Sequence, residues 1–223
     1  MNGTTWDFSV VWENLPMLAR GLVGSLQITF VALLFGLLLG LLVAPLRMSA
    51  LRSLRMPANV YINIFRATPP LVLLFWFFYA FPILIGVRFR PYEAAVVTLS
   101  LQSGAFFAEV FRAGIQSVER GQWEASRALG MGYLRLMRRI ILPQAFKRMV
   151  LAFFERAIEL FKTTTLVSTI AFADLLYEAT VLVNQTFRPL EIYTAVAAIY
   201  ILVITAASVG VRGLERRMAR SDA

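Results

Sequence analysis

One stretch of this 223-residue chain gathers side chains that could handle a charged solute: Glu155, Arg156, Glu159 and Lys162, followed by Thr163, Thr164 and Thr165. They interrupt an apolar run that starts near Met149. On a helix, Arg156 and Glu159 are three residues apart, as are Glu159 and Lys162, which is neighbour spacing on one face. An ionisable residue inside an apolar segment is a functional candidate by default. Three arrangements fit: a ladder of structural ion pairs, charges still near the cytoplasmic interface, or a water-filled cavity whose mixed charges suit a solute carrying both signs. Gln102 and Ser103 break an earlier apolar run, with Glu109 further along it. Gln102 suits either an interhelical hydrogen bond or a solute contact. Arg66 opens another run and reads as an anchor snorkelling to the membrane surface. Pro69, Pro70 and Pro82 disturb that same run, either freeing carbonyls towards a cavity or kinking the helix.

Absences narrow the chemistry. The chain has no His and no Cys. A histidine-dependent triad, a thiolate nucleophile and a Cys/His metal site are therefore excluded. A Ser–Lys dyad from Lys162 and Ser168 is poorly placed, because six residues put them on different faces of one helix. The sequence gives no catalytic residue and no metal ligand set.

A second candidate lies between Arg112 and Arg148. Gly121-Gln122 opens a short helical run, Trp123–Leu129, which Gly130 and Gly132 punctuate. Glycine takes the left-handed conformation just past a helix C-terminus without a Cβ penalty. A second run, Tyr133–Leu142, is expected to stop at Pro143. Ala125, Ala128 and Leu129 share one face of the first run. Glu124 and Arg127 are within pairing range on it. Such a helix is too short to be stable alone. It is either an ordinary surface helix or one that lies in another protein's groove.

The elements that position these residues follow from composition. Hydrophobic residues make up 59%, charged residues 16%, and mean hydropathy is +0.69. That excludes most soluble folds and disorder. The chain is expected to be all-α and polytopic, with about five transmembrane helices. The apolar segments run roughly Leu22–Leu46, Val60–Val87, Ala94–Phe111, from near Met149, and Ile192–Val211. Asp7 and Glu13 precede the first segment, which is also too long for a signal peptide.

With five crossings, fifteen of the 22 Lys and Arg fall on one side, among them Arg47, Arg52, Arg55, the basic residues of 112–148, and Arg212, Arg216, Arg217 and Arg220. Only Arg20, Arg88, Arg90 and Arg188 fall on the other. The positive-inside rule makes the richer side cytoplasmic, with the N-terminus outside and the C-terminus inside. The net charge of +9 thus reads as orientation. No stacking aromatics accompany the basic residues as a nucleic-acid platform requires. Absence of repeats and linkers makes residues 1–223 a single membrane domain.

The loop has a family likeness. Glu124-Ala125-Ser126, Gly130 and Ile141-Leu142-Pro143 resemble the E-A-A, G and I-x-L-P pattern of ABC importer permeases, with Ser126 in place of the second alanine. Phe65-Arg66-Ala67-Thr68-Pro69-Pro70 resembles the F-R-G-T-P-L stretch of the polar amino acid permeases. Ala108-Glu109 with Arg112 through Val118 is similar to their A-E-x-x-R-G-G-I-Q-S-V. Lys162 through Ser168 is similar to K-D-T-S-L-V-S. The likeness spans roughly Gly21 to Leu176.

It implies a type I ABC importer-like permease in a bacterial inner membrane, working as a homo- or heterodimer. A cytoplasmic ABC ATPase dimer would receive Glu124, Ala125, Ser126, Leu129 and Gly130 as a coupling helix within 112–148. A periplasmic or lipid-anchored binding protein would deliver the substrate. Gln102, Arg156, Glu159, Lys162, Thr163 and Thr164 would lie on the substrate pathway. ATP and Mg would belong to the ATPase, since this chain lacks G-x-x-x-x-G-K-[ST] and binds no cofactor of its own. Thr163 stands where the family pattern has an acid, so a neutral or acidic amino acid is expected over a cationic one. The competing readings are a secondary carrier, which would show internal repeats, and a membrane scaffold.

Overall fold

The computed structural model describes residues 6–220, the last five by backbone alone. The side chains of Arg216, Arg217 and Arg220, counted above on the cytoplasmic side, lie outside the described residues. Among the described residues there are helices and no strands.

Helix α1 (Ser9–Glu13) leads into α2 (Leu15–Met48), whose 34 residues rise about 51 Å. Small residues recur along one face of α2: Ser25, Thr29, Ala32, Gly36, Gly40 and Ala44, all buried. They seat it against α6 (Pro91–Gln116). The approach is so close that a Cβ on Gly36 would lie 2.6 Å from the Ser103 Cβ, and one on Gly40 2.6 Å from the Phe107 Cβ. Small residues at interhelical contacts serve this purpose in membranes. The opposite face of α2 exposes Leu34, Leu38, Leu41 and Leu42, as lipid contact requires. Gly36 meets residue 103 and Gly40 meets residue 107, so α2 and α6 run parallel. One crossing must therefore return between them.

That return is not the continuous segment expected over Val60–Val87. Helix α3 (Arg52–Ala67) and the following helical stretch to Ile85 meet at 107°. Thr68 and Pro69 are extended there, with ψ 131° and 138°. A residue before proline is pushed out of the helical region, and the tandem Pro69-Pro70 does this twice while removing two N–H donors. The crossing is thus shared between α3 and the stretch after the elbow: α4 (Pro70–Phe75), a π-helical turn (Trp76–Ala80) and α5 (Phe81–Ile85).

After α6 come α7 (Arg120–Ala128) and α8 (Tyr133–Leu136). Pro143 was expected to end the run from Tyr133. It does not: a π-helical turn (Met137–Ile141) leads directly into α9 (Leu142–Thr163), with Pro143 in its first turn. The extra residue of a π turn widens the helix where the proline ring would meet the carbonyl four residues back.

Helix α9 tightens into a 3-10 stretch (Thr164–Ile170), and α10 (Leu175–Thr186) follows at 47°. That is a bend and not a reversal, so the fourth crossing continues through α10. Helix α11 (Pro189–Arg220) supplies the fifth. Among the described residues, three helices are long and apolar enough to cross a membrane, or up to five counting each bent pair as one span.

Candidate functional site

A cavity of about 670 Å³ opens between the end of α3 and one face of α6 and α9. Its walls carry Arg66, Phe106, Glu109, Glu155, Arg156 and Glu159, among others. The Phe106 ring is its centre: the Arg156 guanidinium lies 4.0 Å from the ring centroid, and that of Arg66 lies 5.5 Å away. Both distances are within cation–π range. Among the described residues no ion pair joins Glu155, Arg156, Glu159 and Lys162 to one another, so the ladder arrangement is not formed. Arg66 is exposed, and the elbow at Thr68, which turns the end of α3 back across α6, places it on the cavity wall.

The cavity's near rim is braced. Glu109 pairs with Arg47 of α2 at 2.6 Å and with Arg112 one turn along α6. Arg112 also reaches Gln116, and Arg148 of α9 donates to the Ser117 carbonyl. Met149 packs so tightly on Gly114 that a Cβ there would collide with it. These contacts tie α2, α6 and α9 where the chain leaves for α7.

The remaining candidates divide. Gln102 and Thr163 border a smaller void of about 30 Å³, together with Phe106, Arg156 and Glu159. The Gln102 amide donates to the carbonyls of Phe65 (3.4 Å) and Thr68 (3.3 Å). Thr163 donates to the Glu159 carbonyl at 2.9 Å, and Thr164, fully buried, donates to the Phe161 carbonyl at 2.7 Å. Such back-bonding satisfies the hydroxyls locally. Lys162 is exposed and, like Thr164, lines neither cavity. Sequence reasoning missed Phe106 and the placing of Arg66 over its ring. The available signals were the Gln102/Phe106 spacing of four on α6 and the position of Arg66 just before a double proline.

The turn after α7 is built as its glycines suggested. Gly130 has φ +73°, its N–H bonds the Arg127 carbonyl at 2.9 Å, and the Met131 N–H bonds the Ser126 carbonyl at 3.1 Å. This is the Schellman closure of a helix end. Ser126 is the one buried residue of α7, at 5% exposure, with its hydroxyl donating to the Gln122 carbonyl at 2.7 Å. Trp123 and Met131 pack onto a core of Val118, Leu136, Ile141, Ala145 and Met149. Glu124, Ala125, Ala128 and Leu129 face outward. Leu129 is 82% exposed and Leu134 80%, with Tyr133 beside them, so the tip presents an apolar patch.

Residues 36–220 match the family described as "Binding-protein-dependent transport system inner membrane component". The chain belongs to this family. It is 35% identical over 223 residues to the probable amino-acid ABC transporter permease protein YckA of Bacillus subtilis (strain 168), covering 98% of each. It is 34% identical to the glutamate/aspartate import permease protein GltK of Escherichia coli O157:H7, covering 96% of this chain and 99% of the relative. A solved structure described as an amino acid ABC transporter with histidines superposes with a TM-score of 0.92 at 37% identity, covering 96% of this chain and 100% of that one. A chain of the MetNI methionine ABC transporter, at 22% identity and TM-score 0.78, shares the fold.

The permease is thus an inner-membrane transport subunit with the type I ABC importer fold, not an enzyme. At the end of the permease opposite α7, Arg188 holds the N-terminal segment through Asp7 at 2.8 Å, with Glu191 at 3.9 Å. Hydrogen bonds from Ser9, and then the Arg188 charge, keep the Asp7 carboxyl below its ordinary range.

Proposed function

We propose that the permease carries a polar amino acid through the Arg66–Phe106–Arg156 cavity. The observation that carries this reading is the pair of guanidiniums sharing one aromatic ring, beside two carboxylates, Glu155 and Glu159, that Arg156 feels without forming an ion pair with either. An amino acid fits such a wall in one orientation. Its carboxylate accepts from Arg66 and Arg156 in charge-assisted hydrogen bonds. Its ammonium faces Glu155 and Glu159. The amino-acid permeases among the relatives support the same substrate class. Because Thr163 adds no further acid, neutral or acidic amino acids are favoured over cationic ones.

The partners follow from family membership and charge distribution. Residues 1–223 act as one membrane unit, N-terminus outside and C-terminus cytoplasmic. A second permease subunit, identical or sister, closes the open side of the cavity, and an extracytoplasmic binding protein loads it. A cytoplasmic ATPase dimer, holding ATP and Mg, grips the turn formed by Glu124, Ala125, Ser126, Leu129 and Gly130. The exposed Leu129, Tyr133 and Leu134 give the ATPase an apolar handle, and the tight packing behind Trp123 makes the turn move with α9. ATP then acts by favouring one of two arrangements of the spans, to the extent that it binds that arrangement more tightly.

The test is reconstitution in liposomes with the candidate ATPase and binding protein, reading substrate-stimulated ATP hydrolysis against a panel of amino acids. Stimulation by one amino acid, lost in Gly130→Asp while the permease still inserts, is the expected outcome. Best stimulation by arginine or lysine overturns the charge preference. Failure of the ATPase to associate overturns the coupling role.

A further inference from the structure

Gln102 stands outside the main cavity, 6% exposed, yet both of its hydrogen bonds end on the elbow between α3 and α4. The Phe65 carbonyl would, in a continuous helix, accept from the N–H of residue 69. Residue 69 is proline, which has none. An orphaned carbonyl in the bilayer needs another donor. Gln102 supplies it from α6 and reaches Thr68, the next extended residue, with the same amide nitrogen. The acceptors fix the orientation of the amide, because only its NH₂ end can serve two carbonyls. Phe65 and Thr68 bracket Arg66 on the chain, and Phe106, the ring under Arg66, lies one turn from Gln102 on α6.

We propose that Gln102 is a positioning residue for solute binding: it pins the α3–α4 elbow to α6 and thereby holds Arg66 over Phe106. This rests on the cavity reading above. At 3.3 and 3.4 Å both bonds are stretched, so a shift of a few tenths of an ångström in the elbow makes or breaks them. The elbow is therefore a place where solute bound to Arg66 feeds back on the backbone.

The chain has no cysteine, so introduced thiols are its only thiols. Val60→Cys on α3 and Ile83→Cys on α5 are exposed sites on either arm of the elbow. Spin labels there report the elbow by pulsed electron resonance in the complete transporter without solute. The expected result is a narrow distance distribution with Gln102 and a broadened one in both Gln102→Leu and Gln102→Met, neither of which can donate. Gln102→Asn, which keeps a shorter amide, recovers part of the narrowing. An unchanged distribution in Gln102→Leu overturns the proposal.

The second arm is uptake of radiolabelled L-glutamine and L-glutamate. Gln102→Leu is expected to raise KM about tenfold, the scale of one lost hydrogen bond to a charged group, with kcat within about twofold. Adding it to Arg66→Ala should raise KM no further, because it acts through Arg66. Additive effects, or a kcat loss at constant KM, mark a merely structural residue. If the wild type imports neither probe, the cavity reading fails for these solutes, while the label distances still decide whether Gln102 sets the elbow.

Discussion

Prolines interrupt this permease in two ways, and the difference locates its working parts. At Pro82 and Pro143 a π-helical turn ends two residues before the ring, and the helix continues. At Pro69-Pro70 no π turn intervenes, the backbone extends, and the chain turns by 107°. In the first case one extra residue makes room for the ring and the helix axis survives. In the second, freed carbonyls must find donors elsewhere, and they find Gln102. The elbow places a cation on the wall of the open cavity; the π turns preserve long levers, one of which joins the turn after α7 to the charged wall of α9. Proline alone thus does not decide between a hinge and a lever, for α2 and α3 also run past Pro45 and Pro57 with no π turn. What sets Pro69-Pro70 apart is the tandem, which pushes two successive residues out of the helical region.

The largest effect should follow from erasing the elbow. Pro69→Ala with Pro70→Ala restores two N–H donors and allows α3 to run on into α4. Arg66 then leaves Phe106. Uptake is expected to fall more than tenfold, since one to two charge-assisted hydrogen bonds are lost, and the distance between labels at 60 and 83 should lengthen. Normal uptake with a lengthened distance would separate the elbow from binding. Next comes the other cation on the ring: Arg156→Leu should raise KM by roughly ten- to a hundredfold, the range for losing a charged hydrogen bond, without altering solute-independent ATP hydrolysis. A fall in basal hydrolysis instead would place Arg156 in the lever.

The sequence made the levers more legible than the elbow. Apolar runs and the Gly130 stop are local signals, and they predicted the crossings and the turn after α7. Ser126, the departure from the family pattern, even supplies the buried face of α7. The proline outcomes were not local. Nothing within a few residues of Pro143 announces that the helix will widen rather than stop. Likewise Arg66 reads as an anchor until α3 is known to fold back across α6. Gln102 was legible as a helix–helix hydrogen bond, but its acceptors are backbone atoms more than thirty residues away. Charge spacing suggested a ladder for Arg156, Glu159 and Lys162, whereas the observed Arg156 prefers the face of Phe106.

A smaller effect is expected at the turn. Gly130→Val forces a β-branched side chain into a positive φ, at about 1–2 kcal/mol. No neighbour lies near a Cβ at Gly130, so the strain is purely backbone. Gly121→Ala, on α7 with open space around it, should be neutral or mildly stabilising by helix propensity. Coupled ATP hydrolysis should separate the two variants, with Gly130→Val impaired and Gly121→Ala intact. Equal behaviour would mean that the shape of the turn is not what the ATPase reads.

The smallest effect should come from Pro143→Ala. Because the helix already passes through this residue, restoring an N–H adds at most one backbone hydrogen bond, within about 1 kcal/mol. Two outcomes are distinguishable by thermal unfolding in detergent together with the distance between labels at the exposed positions Leu134 and Phe154, one on each side of the π turn. If the π turn persists, stability and distance change little, and the tertiary packing of Ile141 and Ala145 is what holds the extra residue. If the turn relaxes to an α-helix, every residue on one side of it rotates by about 100° relative to the other. The tip would then present a different face, and coupling would fall although stability had not. That second result would show that the proline is there to set the rotational phase between the turn after α7 and the charged face of α9.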